Sequence, residues 1–198
     1  MFLQLTDGGR EARPQRQLTD RLLFVVIPDV GSASSAARRC QELRAKHGLR
    51  GKAIATERLH VTVHHVGDFA GLPQGIVGKA CAVASAVCMW PFTVEFNGAL
   101  SFRGRPGNLP FVLQGDDGVS GLLVLQHRLG RTMENAGLGR ANPHYIPHMT
   151  LLYGDRFVDD EPVKPPIRWA VHEFLLVHSR PGRSRYNVLA RFPLRAQA

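Results

Sequence analysis

The sequence predicts an α+β fold built from two related lobes. Segments with the 3.6-residue periodicity of helices alternate with short β-branched runs that are typical of strands. A helix followed by a strand that carries His-x-Thr occurs twice, at 32–66 and at 119–153, with the two histidines 88 residues apart. With 198 residues and 44% hydrophobic content, the chain is long enough for one compact domain or for two small lobes that share a core.

Local signals define the elements of the first half. Pro28 ends a continuous apolar run, as expected of a buried strand. Ser32, Ser34 or Ser35 is expected to cap the helix that follows, and Gly48 is placed to end it. The predicted elements are a strand at 21–29, a helix at 32–47, a strand at 58–67 and a helix at 74–89.

Strands dominate the second half of the prediction. The run 91–102 alternates as one strand or as a bent pair of strands, and a third helix is expected from about 119 to 136, where Gly137 ends it. The remaining expected elements are a turn-rich loop at 103–108, strands at 109–115 and 144–154, a loop that holds Pro162, Pro165 and Pro166, and a closing hairpin of 169–179 and 185–194. Tyr186 alternates with apolar residues in the last of these strands, so we predict that it lies in the core.

The N-terminal segment, the lack of long apolar stretches and the cysteines indicate the domain limits and the compartment that we expect. Residues 1–19 are polar and without a period, so they are expected to form a flexible leader before a single bilobal domain at 20–198. There is no apolar signal region and no apolar stretch of about 20 residues, which predicts no membrane contact. Three cysteines without metal-ligand spacing are expected to be buried thiols, which suits the cytoplasm.

The chain is strongly basic, with a formal net charge of +9. A basic surface favours polyanionic partners such as RNA, but charge alone leaves open a basic protein with no such partner. We expect an RNA end or a cyclic nucleotide as the binding partner, no cofactor and no obligate protein partner.

Two His-x-Thr strings carry the functional signal. Residues i and i+2 of a strand point to the same face, so His60 projects with Thr62, and His148 with Thr150. Aliphatic residues occupy the positions between and after each pair, and they point to the other face. One such string is weak evidence. Two are stronger evidence, because two would arise by chance in only roughly one chain of this composition in twenty-five.

Histidine and threonine suit the cleavage of a phosphodiester. One histidine can deprotonate the nucleophile and another can protonate the leaving oxygen, because the unperturbed pKa of histidine is about 6.5. A threonine hydroxyl can donate a hydrogen bond to a non-bridging phosphate oxygen. Two such strands facing each other would make one complete site, in which His60 and His148 are catalytic and Thr62 and Thr150 bind phosphate.

Several stretches resemble the 2H phosphoesterase superfamily, and within it the bacterial 2′-5′ RNA ligase / RNA 2′,3′-cyclic phosphodiesterase group. RLHVTVHHVGDF resembles the first motif of this group, and PHYIPHMTLLYG resembles the second. FRGRPGNLPFVL is similar to its middle hairpin, and FLLVHSRPGRSRYNVLARFPL to its last two strands. The resemblance covers about residues 20–195.

The resemblance implies two antiparallel sheets that flank a central cleft, with helices outside and one His-x-Thr from each lobe. By analogy His60 is the general acid and His148 the general base, and the reaction is the opening of 2′,3′-cyclic phosphates, with reversible 2′-5′ ligation as a further activity. Tyr153 departs from the family pattern, since the best-known members that act on RNA carry arginine there. His64 on the face of Thr62 is a candidate to compensate. The remaining candidate substrate contacts are Tyr153 itself, Arg103 and Arg105.

Two other functions stay open on the sequence alone. The replacement of the family arginine by Tyr153 is compatible with a module that binds a nucleotide or an RNA end without turnover. A histidine-based metallohydrolase is the weaker hypothesis, because neither motif has an acidic ligand in its own strand and Asp68 lies eight residues beyond His60. We therefore predict no metal site.

Overall fold

Eight strands and three α-helices make up the described part of the chain, residues 19–180 and 185–196 of a computed structural model. The elements are β1 (Asp20–Val26), α1 (Val30–His47), β2 (Val61–Phe69), α2 (Gln74–Ala84), β3 (Phe92–Ser101), β4 (Leu109–Gln114), α3 (Ser120–Asn135), β5 (His148–Gly154), β6 (Glu161–Val171), β7 (Glu173–Ser179) and β8 (Asn187–Pro193). The predicted α+β class is confirmed. The expected flexible leader lies outside the described residues, apart from Thr19.

One antiparallel sheet runs through the molecule in the order β6-β3-β4-β5-β2-β1-β7-β8. The two separate sheets that we expected are two four-stranded halves of this sheet, so that expectation needs correcting. The halves join where β2 meets β5, through the single residue pair Val61↔Met149. Beyond this pair each strand diverges to its own neighbour, β2 to β1 and β5 to β4.

The helices cover one face of the sheet. Helix α1 packs against β5 and β6 of the opposite half, and α3 packs against β2 and β3, one strand from each half. Their buried faces carry apolar residues: Ala36, Cys40 and Leu43 in α1, and Leu122, Leu125, Leu129 and Met133 in α3. No helix in the described ranges has the length and apolar character that a membrane crossing needs.

The predicted proline-rich loop is instead strand β6, which is a second correction. Pro162, Pro165 and Pro166 all lie within it. The strand is at the end of the sheet and pairs only with β3, so its outer side needs no backbone donor. The expected strand at 169–179 is therefore divided at His172 between β6 and β7.

Helix ends also differ from the prediction. Asp29 caps α1, with its Oδ1 atom accepting a hydrogen bond of 2.7 Å from the amide of Ser32, so none of the three candidate serines is the cap. Helix α2 ends at Ala84 instead of continuing to residue 89. There the Ser85 hydroxyl donates to the Cys81 carbonyl at 2.8 Å and competes with the helical backbone for that acceptor. Gly48 ends α1 in the left-handed conformation, as predicted.

Candidate active site

The middle residues of the two His-x-Thr motifs are the ones that join the sheet. Val61 pairs directly with Met149, and both are fully buried on the helix-covered face. An antiparallel register then puts His60 opposite Thr150 and Thr62 opposite His148, all on the other face. Four polar side chains from two distant parts of the chain thus form one cluster at the centre of the sheet.

Both motif histidines are held in the same way. Nδ1 of His60 lies 2.8 Å from the carbonyl oxygen of Arg58, and Nδ1 of His148 lies 2.7 Å from that of Ile146. A carbonyl oxygen can only accept, so the proton of each neutral ring is on Nδ1. Each Nε2 is then the nitrogen available for proton transfer, and that of His60 lies 3.2 Å from the Thr62 hydroxyl oxygen.

Aromatic rings fix both imidazoles from the side. Tyr186 meets His60 edge-on at 5.1 Å between ring centroids, and its hydroxyl oxygen is 3.2 Å from Nδ1. Phe102 meets His148 in a similar tilted contact at 4.9 Å. These contacts restrict ring rotation, so both Nε2 atoms face a fixed direction.

Burial lowers the pKa of both motif histidines below the ordinary value of 6.5. For His60, desolvation is the largest cause, and the nearby charges of Arg58 and His148 lower its pKa further. Both histidines line the same cavity, so they can act on one bound group. Both rings are therefore mainly neutral at pH 7 in the free protein.

The cluster opens into a cavity of about 590 Å³, a size that suits a nucleotide-sized ligand. Both histidines and both threonines line it, and so does Tyr153, which is 45% exposed at its rim. The floor on the side of β1 and β7 is apolar, with Leu23 and its neighbours in a small second core that Tyr186 covers.

A bulge in β2 changes the face on which its histidines lie. Val63 is the extra residue in the pairing with β1, so the alternation that holds at Thr62 is shifted by one position afterwards. His64 therefore turns to the interior, where its Nε2 lies 2.9 Å from the Leu138 carbonyl oxygen, and His65 lines the cavity instead. The prediction that His64 contacts substrate is corrected on this geometry.

The loop arginines do not line the cavity. Arg103 and Arg105 are exposed in the hairpin between β3 and β4, one and three residues after the Phe102 ring that contacts His148. Their position at this end of the cleft leaves a contact with a longer substrate as a prediction.

Sequence reasoning missed several residues of the cavity wall. Tyr186 was expected in the core, but it precedes β8 in irregular backbone, where strand alternation does not apply. Arg21, Arg58 and Ser179 also line the cavity. Arg58 ends the 3-10 helix Thr56–Arg58, where strand alternation does not apply either.

A side-chain hydrogen bond links the two halves beside the motifs. The Tyr145 hydroxyl, three residues before His148, donates to the Thr62 carbonyl oxygen at 2.9 Å. Burial raises the pKa of this phenol, so it stays protonated and keeps its donor. The bond helps to fix the distance between the two motif strands.

No group of three or more histidine, cysteine, aspartate or glutamate side chains that could hold a metal ion is found within residues 19–180 and 185–196.

Two His-x-Thr strands that meet at the centre of one antiparallel sheet, with both histidines facing one cavity, define the class of two-histidine phosphoesterases. The family model of the 2′-5′ RNA ligase superfamily matches residues 32–183, and the chain belongs to this superfamily. No curated protein gave a significant sequence match.

Solved structures confirm the fold. The protein TT0787 of Thermus thermophilus is similar with a TM-score of 0.71 at 22% identity, over 90% of this chain and 100% of that one. Escherichia coli LigT complexed with NADP+ gives 0.67 at 25% identity, over 90% and 99% of the two chains. LigT complexed with 3′-AMP gives 0.68 at 24% identity, over 89% and 98%.

Proposed function

We propose that this protein is a metal-independent phosphodiesterase that opens 2′,3′-cyclic phosphates at RNA ends or in nucleotides. The observation that carries the proposal is the geometry of the two motif histidines, which present Nε2 to one cavity with the proton of each neutral ring on Nδ1. Family membership supports an RNA or nucleotide substrate. The cytoplasm, where RNA is abundant, is the proposed site of action.

The reaction needs one proton taken and one given. A neutral histidine Nε2 accepts a proton from water while the water oxygen attacks phosphorus. The bond from phosphorus to one ribose oxygen breaks, and the other histidine, protonated before the reaction, delivers its proton to that oxygen. We assign His148 as the base and His60 as the acid. If the 5′-hydroxyl of a second RNA end attacks phosphorus in place of water, the histidines keep these roles, the bond from phosphorus to the 3′ oxygen breaks, and the product is a 2′-5′ linkage. Cleavage of that linkage back to the cyclic phosphate is the reverse reaction, in which the two roles exchange.

The threonines suit the charge that develops during this reaction. The hydroxyls of Thr62 and Thr150 can donate to the two non-bridging oxygens, one from each half of the sheet. In the free protein Thr62 lies 3.2 Å from His60 Nε2, so a bound phosphate would replace a contact that already exists.

Turnover in the presence of EDTA tests the proposed function. We expect the purified protein to convert adenosine 2′,3′-cyclic phosphate to a monophosphate at an unchanged rate after exhaustive EDTA treatment. Chromatography that separates the 2′- from the 3′-monophosphate would identify which bond breaks. Loss of activity in EDTA that one metal restores would contradict the proposal.

The low pKa values of both histidines predict an acidic optimum. The base must be neutral and the acid protonated, so kcat/KM is highest at the mean of their two pKa values in the free protein. Because burial lowers both pKa values below 6.5, the maximum is expected below pH 6.5, with a decline through neutral pH as the acid loses its proton. A pH series of kcat/KM checks this, and a maximum above pH 7 would contradict it.

A binding module without turnover is the second candidate, because Tyr153 supplies no positive charge at the position where the best-known family members that act on RNA carry arginine. The two candidates separate on one substrate: a binding module retains adenosine 2′,3′-cyclic phosphate unchanged, whereas the proposed enzyme opens it.

A further inference from the structure

Apart from the two motif histidines, the basic side chains among the described residues of the cavity wall come from one half of the sheet. Apart from the motif histidines, the described residues that line the cavity include three basic ones: Arg21 on β1, Arg58 just before the first motif, and His65 on β2. The half made by β3, β4, β5 and β6 contributes Tyr153 at the same rim. No carboxylate is among the described lining residues.

We propose that Arg21 and Arg58, with His65 beside them, form a second anion subsite that binds another phosphate group of the substrate. The inference rests on the proposed function for the identity of the substrate, and it names a phosphodiester that carries a second phosphate as the preferred class.

Both arginines lie near Ser179, Arg21 by strand register and Arg58 by a side-chain hydrogen bond. Arg21 pairs with Ser179 in the β1–β7 register, and the Nη2 atom of Arg58 donates to the Ser179 hydroxyl at 3.3 Å. Arg58 also lies over the Tyr186 ring, with Cζ at 4.9 Å from the ring centroid. A planar guanidinium held between a ring and a hydroxyl is preorganised for a phosphate oxygen.

Arg21 is held at the rim by one carboxylate. Its Nε lies 2.8 Å from Asp68 Oδ1 and its Nη2 lies 3.5 Å from Asp68 Oδ2, while His65 Nε2 lies 3.1 Å from the same Oδ1. The remaining nitrogen, Nη1, is not used by Asp68, and a guanidinium has five N–H donors in all.

Arg21 lies apart from the phosphate position between the motifs, whereas Arg58 lies beside His60. On β1, Thr62 pairs with Val25, whereas Arg21 is four residues further along, roughly 13 Å at the rise of a strand. Arg21 is therefore placed to meet a different part of the substrate from the part that Thr62 meets. A nucleotide with a 5′-phosphate, or one at the end of an RNA chain, has a second phosphate on its 5′ side, either terminal or shared with the preceding nucleotide.

Binding of two nucleotides tests the subsite without any need for turnover. We expect calorimetry at low salt to show adenosine 3′,5′-bisphosphate binding about ten- to a hundredfold more tightly than adenosine 3′-monophosphate, the range for hydrogen bonds between charged groups. The ratio should fall towards one in Arg21→Gln and in Arg58→Gln, and it should shrink as salt is added.

Arg191→Gln is the matched control. Arg191 is likewise an exposed strand arginine in an ion pair, with Glu173 at 2.5 Å, and it does not line the cavity. This variant should keep the wild-type ratio, and circular dichroism of all three variants should establish that each is folded. If Arg58→Gln does not fold, Arg21→Gln and Arg21→Lys carry the test.

A dinucleotide separates the two sources of the second phosphate. ApA with a 3′-phosphate and a free 5′-hydroxyl has the internucleotide phosphate as its only second phosphate. Tight binding of this ligand therefore points to RNA ends. Tight binding of the bisphosphate alone points to mononucleotides. Either result supports the subsite.

Equal affinity of the wild-type protein for adenosine 3′-monophosphate, the bisphosphate and the dinucleotide would overturn the subsite, as would an unchanged ratio in both arginine variants. These outcomes leave the proposed function intact if adenosine 2′,3′-cyclic phosphate is still opened. Failure to open the cyclic phosphate, with the affinity ratio present, would instead overturn the proposed function alone.

Discussion

Replacing either His60 or His148 by alanine is expected to lower kcat for 2′,3′-cyclic phosphate opening by about 10²–10⁴-fold, the usual contribution of a general acid or base. Both rings present Nε2 to the same cavity, and each is fixed by a backbone carbonyl two residues earlier. Among the described residues, neither half of the sheet holds a second proton-transfer group in the same position. We therefore expect that the remaining histidine does not take over the role of the one that is removed.

The two losses should appear in kcat more than in KM, because proton transfer acts in the transition state. The measurement is steady-state kinetics in EDTA on folded variants. His172→Ala is the matched control, since His172 is exposed and outside the cavity. Near-normal turnover by both folded motif variants would refute the mechanism.

Phe24→Ala is expected to lower the free energy of unfolding by about 3–5 kcal/mol. Phe24 is fully buried in β1, between β2 and β7, and its ring centroid is 6.0 Å from that of Phe174 and 5.9 Å from that of Phe192. Alanine would leave a cavity beneath the half of the sheet that carries His60, and the neighbouring strands can close it only in part.

Urea unfolding followed by fluorescence or circular dichroism measures this loss. Phe157→Ala serves as the control, because Phe157 is 55% exposed and should change the free energy of unfolding by less than about 0.5 kcal/mol. Similar effects of the two substitutions would show that the ring cluster around Phe24 is not a main source of stability.

Strand alternation was sufficient to predict the central geometry. It placed His60 with Thr62 and His148 with Thr150 on one face, and the structure buries Val61 and Met149 on the other. The same rule failed two residues later, at His64, because a bulge depends on how β2 pairs with β1. Local sequence patterns do not encode a pairing partner 40 residues away.

Other features of the site depend on tertiary structure. Tyr186 reaches His60 from the irregular segment before β8, where no period constrains a side chain. Arg21 appeared to be one charge in an otherwise apolar strand, and only the position of β1 beside β2 brings it to the cavity. The prolines of β6 pointed to a loop because a sequence does not show which strand lies at the sheet edge.

The join between β2 and β5 explains why two separate motifs can form one site. The middle residue of each His-x-Thr is the residue that pairs, so any shift of register would move both histidines and both threonines together. The Tyr145 hydroxyl bond to the Thr62 carbonyl adds a second link at the same place.

A titration with inorganic phosphate, followed by the imidazole ¹⁵N signals of His60 and His148, tests most directly whether the two histidines act on one group. We predict that both signals shift with the same dissociation constant, because one phosphate lies between the two rings. Single-site assignments from the two alanine variants identify the signals. Shifts of only one histidine, or two different dissociation constants, would contradict a shared site.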